Sequence, residues 1–338
     1  MKKWLLTGFF ILTINFDPAF AQSKYSSYVN PLIGTGGHGH TFPGAVLPFG
    51  MVQLSPDTRV DGSWDGCSGY HYSDSIIYGF SHTHLSGTGV SDWGDILLTP
   101  VSQVKSLEQK NYASSFSHQS EKASPGYYEV ILKKEKISAA LTVTARTGIH
   151  RYTYPAGKNQ ALLLDLLHRD KTLSCDLKLL DSITVSGYRV SEAWAREQHQ
   201  YFVMKLSKPV KRIRYAKNKQ LQDLLSRSAG EKAEGAVFEF DSNDEQVLLV
   251  KVALSSVSQE GALKNLEAEA PHWDFEKYKA EADQAWNKEL HKIEVEETDK
   301  NKLAVFYTAL YHCFIHPSLN MDVDGRYRGR DQQIHSAE

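Results

Sequence analysis

Cysteine is scarce: only Cys67, Cys175 and Cys313 occur in 338 residues. They are odd in number and widely spaced, which excludes a disulfide framework but leaves room for one bridge in an exported protein. No C-x-x-C pair exists, so the cysteines suggest no zinc ribbon. An excess of one charge is lacking too: 38 basic residues face 40 acidic ones, for a formal net charge of −2. Nucleic acid needs a clustered basic face, so it is not an expected partner. Beyond the first residues, no apolar run approaches the roughly 20 residues that cross a bilayer. Internal repeats and low-complexity tracts are also missing.

What is present starts with an export signal. Lys2 and Lys3 precede an apolar run from Trp4 to Phe16, and Ala19-Phe20-Ala21 supplies a small-x-small cleavage site. This predicts a signal peptide over residues 1–21 and a mature chain starting near Gln22. No cysteine follows the cleavage point, so a lipid anchor is not indicated. The protein is expected in the periplasm or outside the cell.

Residues 25–100 are dense in Gly, His, Trp, Tyr and Asp without sustained periodicity, which reads as short strands joined by ordered loops. From Gly126 to about Ser258 the segments are β-branched and aromatic, separated by polar or glycine-bearing breaks. Tyr127–Leu132, Ile137–Tyr154, Ala161–Leu167, Ile183–Val190, Gln200–Ser207, Val210–Tyr215, Ala236–Phe240 and Gln246–Ser255 are the expected strands. Strands repeated without intervening helices predict a mainly β fold, an antiparallel sandwich over residues 22–262.

Past Glu260 the period becomes helical. Phe275, Tyr278, Ala282, Ala285, Trp286 and Leu290 share one face, with Pro271 just ahead. A second helix starts near Lys300 with Leu303, Phe306, Leu310 and Phe314 on a face, capped by Asp299 and stopped by Pro317. Residues 263–298 read as a helical linker and 299–338 as the start of a second domain. Two amphipathic helices cannot bury their apolar faces alone, so the chain is expected to be part of a longer protein.

Gly34-Thr35-Gly36-Gly37-His38-Gly39 fits G-x-G-x-x-G, but His40 to Gly44 cannot open a helix, so a tight glycine turn is the better reading. His38, His40, His71, His82 and His84 cluster early. The pairs His38-x-His40 and His82-x-His84 place both rings on one side of a strand, which could hold a metal; no H-E-x-x-H accompanies them, and structural or sugar-contacting roles are favoured. The densest chemistry runs from Asp61 to Tyr72, through Phe80 to Gly89, to Asp95. Aromatic faces beside Asp, His, Ser and glycine suit a sugar: rings stack on its apolar side and polar groups bond its hydroxyls. Trp64, Asp65, His84 and Trp93 are candidates for that contact. Asp65, Asp92 and Asp95 are the carboxylates within the cluster, and nothing in the sequence gives any pair the separation that glycoside hydrolysis needs. Asp322-Val-Asp324-Gly325 starts like a calcium loop but lacks its later ligands, so it reads as a turn.

Several ordered motifs resemble glycoside hydrolase family 92. They are Tyr28–Gly37, His40–Asp57, Gly69-Tyr-His-Tyr72, Gly79–Gly87 and Asp322–Gly329. The resemblance implies a β-supersandwich followed by an (α/α)6 catalytic barrel, here truncated. It implies a calcium-dependent, inverting α-mannosidase that acts on the N-glycans of glycoproteins, with its active site between the two domains. It places the glutamate acid, the aspartate base and the calcium ligands in the later barrel, so no catalytic or metal residue is assigned to this chain. It adds Cys67, Ser68 and Gly69, and again Trp93, as sugar-contacting positions. The partners expected are an α-mannoside or N-glycan and the chain's own missing C-terminal (α/α)6 domain. A non-catalytic carbohydrate-binding module and a zinc hydrolase built on the histidines are the alternatives.

Overall fold

The computed structural model describes residues 24–223, 230–242 and 246–337, so the export signal predicted for residues 1–21 lies outside the described residues. Two eight-stranded antiparallel sheets pack face to face. The first runs Ala45–Val46, Gln53–Asp57, Gly79–Ser81, Leu97–Val101, Gln160–Asp165, Gly235–Phe240, Arg212–Lys217, Gln220–Asp223. The second runs Lys171–Leu179, Thr184–Glu192, Gln198–Leu206, Val247–Ser255, Thr147–Thr153, Ile137–Val143, Tyr127–Leu132, Lys122–Ser124. This is the mainly β antiparallel sandwich expected.

The core between the sheets takes Leu54, Phe80 and Leu98 from the first and Tyr128, Leu141, Tyr152, Phe202 and Val250 from the second. The strand Gln160–Asp165 is buried on both faces. Leu162 and Leu164 enter this core, while Ala161 and Leu163 pack outward with Leu97, Val101 and Tyr112. A strand covered twice reads as a continuous apolar run, which is why Ala161–Leu167 shows no alternation.

Two strand readings need correction. The run Ile137–Tyr154 is a hairpin, Ile137–Val143 paired with Thr147–Thr153, and its turn contains no Gly or Pro to announce it. Lys171–Leu179 is a further strand. It lies at the end of the second sheet, where only Cys175 and Leu177 are buried and the other residues are exposed or half-buried, so its apolar signal is weak.

A one-turn helix α1 (Gln109–Tyr112) lies within the sandwich, and three helices follow it: α2 (Gln259–Glu269), α3 (Phe275–Leu290) and α4 (Lys300–Cys313). The predicted helical stretch thus contains one helix more, α2, capped by Ser258 Oγ accepting from Gly261 N. On α3 the buried residues are Phe275, Tyr278, Ala282, Trp286 and Leu290, the expected face. On α4 Asp299 accepts from Asn301 N at 2.8 Å as its cap. There the buried stripe is Leu303, Tyr307 and Tyr311 rather than Phe306, Leu310 and Phe314, which are half-buried. The i, i+4 row of aromatics faces the N-terminal segment, and Tyr25, Val29, Phe42 and Val46 complete a second core with Trp286 and Tyr311. Trp286 Nε1 donates to Val46 O at 2.6 Å, and Asn30 N to Thr308 Oγ1 at 2.9 Å. These bonds tie the first loops of the sandwich to the late helices. No described helix is long and apolar enough to cross a membrane.

Candidate active-site crevice

The loops singled out by their Gly, His and Trp content lie where the first sheet meets the end of α4. Phe49 N donates to Phe314 O at 2.7 Å, and Leu319 N to Phe49 O at 2.8 Å. Trp93 and His316 meet edge to face, with ring centroids 6.1 Å apart. The seven predicted contact residues fall into an accessible rim and a buried floor.

Trp64, Asp65 and Trp93 form the rim. Trp64 is 55% exposed and is flanked by His38, tilted at 4.8 Å, and by His40, edge-on at 4.4 Å. Asp65 Oδ1 lies 2.6 Å from His38 Nδ1; that hydrogen bond holds the Asp65 carboxyl below the usual carboxylate range. Trp93 is half-buried with φ +71°, in the left-handed region that disfavours a bulky side chain. The Asp92 carboxylate accepts the Trp93 N–H at 3.0 Å and holds that conformation.

Cys67, Ser68, Gly69 and His84 form the floor, and protein groups already occupy their polar atoms. Ser68 Oγ donates to Thr41 O at 2.9 Å. Gly69 O accepts from Thr58 N at 2.7 Å. A side chain at Gly69 is impossible without rearrangement, since its φ is +90° and an added Cβ would lie 2.3 Å from Asp57 Oδ1. His84 is fully buried: Nδ1 lies 2.8 Å from Gln53 O, and Nε2 is 3.1 Å from both Asp57 Oδ1 and Ser81 Oγ. The Cys67 thiol is free and buried; burial pushes its pKa up, with Arg169 opposing, which disfavours the thiolate.

Asp57, which the sequence does not mark, organises this floor. Burial alone would favour its protonated form, but His84 and His168 outweigh that and hold the carboxyl well below the usual range. His168 Nε2 is 3.2 Å from Asp57 Oδ2, and Arg169 Nη1 is 3.9 Å from Oδ1. Arg169 also donates to Cys67 O and, at 2.9 Å, to Ser91 Oγ. Behind it, Arg189 reaches from the second sheet to Arg169 O and to the Asp95 carboxylate. His168 and Arg169 follow the strand Gln160–Asp165, far in sequence from the loops they hold, so no local motif announces them.

Asp92 and Asp95 are structural clamps. Asp92 Oδ2 accepts from Ala195 N at 2.8 Å, while Asp95 Oδ2 accepts from Thr83 Oγ1 at 2.9 Å and Gln198 Nε2 at 2.8 Å. The histidine pairs do not converge as ligands. His38 turns to Asp65, His40 to Trp64, His84 to Asp57, and His82 Nε2 to His150 Nε2 at 3.0 Å. Among the described residues, no group of three or more His, Cys, Asp or Glu side chains could hold a metal ion, which leaves the zinc alternative without a site. Asp322 is bonded to Ser255 and Asn265, and Asp324 to Arg326 and Lys264, so this segment is a pinned turn.

Orphaned polar atoms gather at the same crevice. His40 Nε2, Thr41 Oγ1, His312 Nε2 and His316 Nε2 are buried without a hydrogen-bond partner among the described residues. Burial pushes the His312 and His316 pKa values down. Groups of this kind await a ligand, water or further chain. A cavity of about 570 Å³ lies elsewhere, beside Val104, Arg214 and Glu239 of the first sheet, and includes none of the candidate residues.

Residues 28–255 match the N-terminal domain model of glycosyl hydrolase family 92, and residues 261–338 match its catalytic domain model. The chain belongs to glycosyl hydrolase family 92. A family member from Bacteroides thetaiotaomicron, an α-mannosidase solved with mannoimidazole, is 34% identical with a TM-score of 0.86; the match covers 93% of this chain and 43% of that one. The inverting family mannosidase of the VPI-5482 strain is 26% identical with a TM-score of 0.81, over 94% of this chain and 44% of its own. A curated relative from Arthroderma benhamiae, described as an uncharacterized secreted glycosidase, is 29% identical over 86% of this chain and 41% of itself. The chain thus spans less than half the length of these family relatives.

Proposed function

We propose that this chain is the N-terminal part of an exported exo-α-mannosidase that removes α-linked mannose from N-glycans of glycoproteins with inversion. Residues 22–262 supply the sandwich, 263–298 a helical linker, and 299–338 the start of an (α/α)6 catalytic domain. The observation that carries this reading is the crevice itself. An aromatic rim stands over a buried floor organised by Asp57 and faces the end of α4, where unpartnered histidine nitrogens are gathered. The 34% identical α-mannosidase, whose fold matches at a TM-score of 0.86, supports it.

In this reading Trp64 and Trp93 offer flat faces to the apolar side of sugar rings, and the His38–Asp65 pair bonds hydroxyls. Cys67, Ser68, Gly69 and His84 fix the loop backbone that approaches the sugar. Hydrolysis needs an acid for the leaving oxygen and a base for the attacking water on the opposite face. The buried Asp57, Asp92 and Asp95 are all engaged within the protein, and in this reading the acid and the base belong to the catalytic domain beyond residue 338, as the resemblance to the family implies. Calcium, a hard oxygen-seeking cation, would bind sugar hydroxyls, but the described residues offer it no ligand set. No step here runs through it.

The test uses the full-length protein and a synthetic α-mannoside, following the released sugar by proton NMR. β-Mannose as the first product, with turnover lost in chelator, is the expected result. First-formed α-mannose would overturn inversion, and turnover unaffected by chelator would overturn the calcium dependence. Binding without any turnover would leave a carbohydrate-binding module.

A further inference from the structure

We propose that Trp194 is a second sugar platform at the outer edge of the crevice, selecting α-linked oligomannosides over simple mannosides. The proposal rests on the α-mannosidase reading above. Trp194 lies in residues 193–197, which join the strands Thr184–Glu192 and Gln198–Leu206, and at 69% it is the most exposed large apolar side chain described. Its turn is nevertheless pinned. Ala193 N donates to Ala195 O at 3.0 Å, Ala195 N to Asp92 Oδ2 at 2.8 Å, and Gln198 Nε2 to Asp95 Oδ2 at 2.8 Å. Gln332 Nε2 reaches Glu197 O at 3.3 Å from beyond α4.

Asp92 links the two tryptophans. One carboxylate oxygen takes the N–H of Trp93 and the other takes the N–H of the residue after Trp194. Both indoles are therefore presented from one rigid node, Trp93 deeper beside His316 and Trp194 further out in solvent. An indole held in water by a fastened turn gains nothing for folding and suits a flat apolar partner. Its flanks Arg196 and Glu197 are exposed and polar, so the spot is a single ring among hydrogen-bonding groups. That pattern fits a sugar ring better than a protein interface, whose centre is a contiguous apolar patch. The shared bond to Asp92 sets this platform near Trp93, where an oligomannoside would extend past a simple mannoside.

Full-length wild type, Trp194→Ala and Trp194→Phe are compared on 4-nitrophenyl α-mannoside and on linear α-mannotriose. Trp194→Ala should raise KM for mannotriose about fivefold or more while leaving the aryl mannoside within about twofold, and Trp194→Phe should restore most of the loss. Unchanged kinetics on both substrates would overturn the proposal. So would equal losses on both, especially with a lowered Tm, since Trp194 would then pack against the rest of the chain. A wild type inert towards every α-mannoside would refute the parent reading, and this one with it.

Discussion

His82 and His84 stand two residues apart in one segment and are both fully buried, yet they belong to opposite kinds of environment. His82 Nδ1 is 2.6 Å from Ile96 O, so that nitrogen carries the proton and donates. Its Nε2 must then accept from His150 Nε2, and His150 Nδ1 accepts from Tyr152 OH at 2.8 Å. This is a neutral chain between the sheets: burial pushes His82 down to about 4 and His150 well below its ordinary value. His84 instead meets the Asp57 carboxylate under the crevice, with His168 and Arg169 on its other sides. Identical side chains thus serve a packed interior in one case and the footing of a binding loop in the other. What separates them is whether a buried carboxylate stands within reach.

The comparison breaks most sharply at Asp57. Asp57→Ala leaves Arg169 and two histidines buried without their carboxylate, and should cost about 3–5 kcal/mol in urea unfolding of the chain. A loss under about 1 kcal/mol would mean that the floor is not held by charge.

The second effect separates the two clusters by pH. A histidine whose folded pKa is lowered binds fewer protons folded than unfolded, so stability falls as pH drops from about 6.5 toward about 4. His82 alone contributes on the order of 3 kcal/mol over that window. Asp57, whose folded pKa is also lowered, keeps its contribution above the ordinary carboxylate range and loses it only as pH falls below about 4. His82→Gln should reduce the slope of the stability profile between pH 6.5 and 4, His150, His312 and His316 keeping the rest, and leave the lower limb intact. An unchanged upper slope would show that the His82 chain is not neutral.

The smallest effect on stability, and a clear one on binding, lies at the rim. Trp64→Ala should shift unfolding by no more than about 0.5 kcal/mol, because Trp64 is largely exposed. In the full-length protein it should weaken binding of an α-mannoside about fivefold by calorimetry. Unaltered affinity would remove Trp64 from the site.

Much of this was legible in advance. Apolar, β-branched segments with turn residues between them foretell the sandwich, and the three- and four-residue spacing of Phe275 to Leu290 foretells α3 and its buried face. Trp64 and Trp93 stood out as candidates beside aspartate and glycine in an irregular stretch, but core packing suited Trp64 as well, and only the fold shows it exposed. The misread α4 stripe has a plain cause. Phe306 and Tyr307 are both aromatic, and only the position of Tyr25 and Phe42 decides which one turns inward.

The sequence by itself determined the fold class and the family, because local period, composition and ordered motifs are local properties. Only the tertiary structure decided which polar residues are floor and which are rim. Asp57, His84, the adjacent His168 and Arg169, and Arg189 come from separate strands and loops and from both sheets, and their roles follow from burial and from partners brought within a few ångströms. A carboxylate in the sequence is only a carboxylate. Asp92 became a clamp when folding set Trp93 on one of its oxygens and the Trp194 turn on the other.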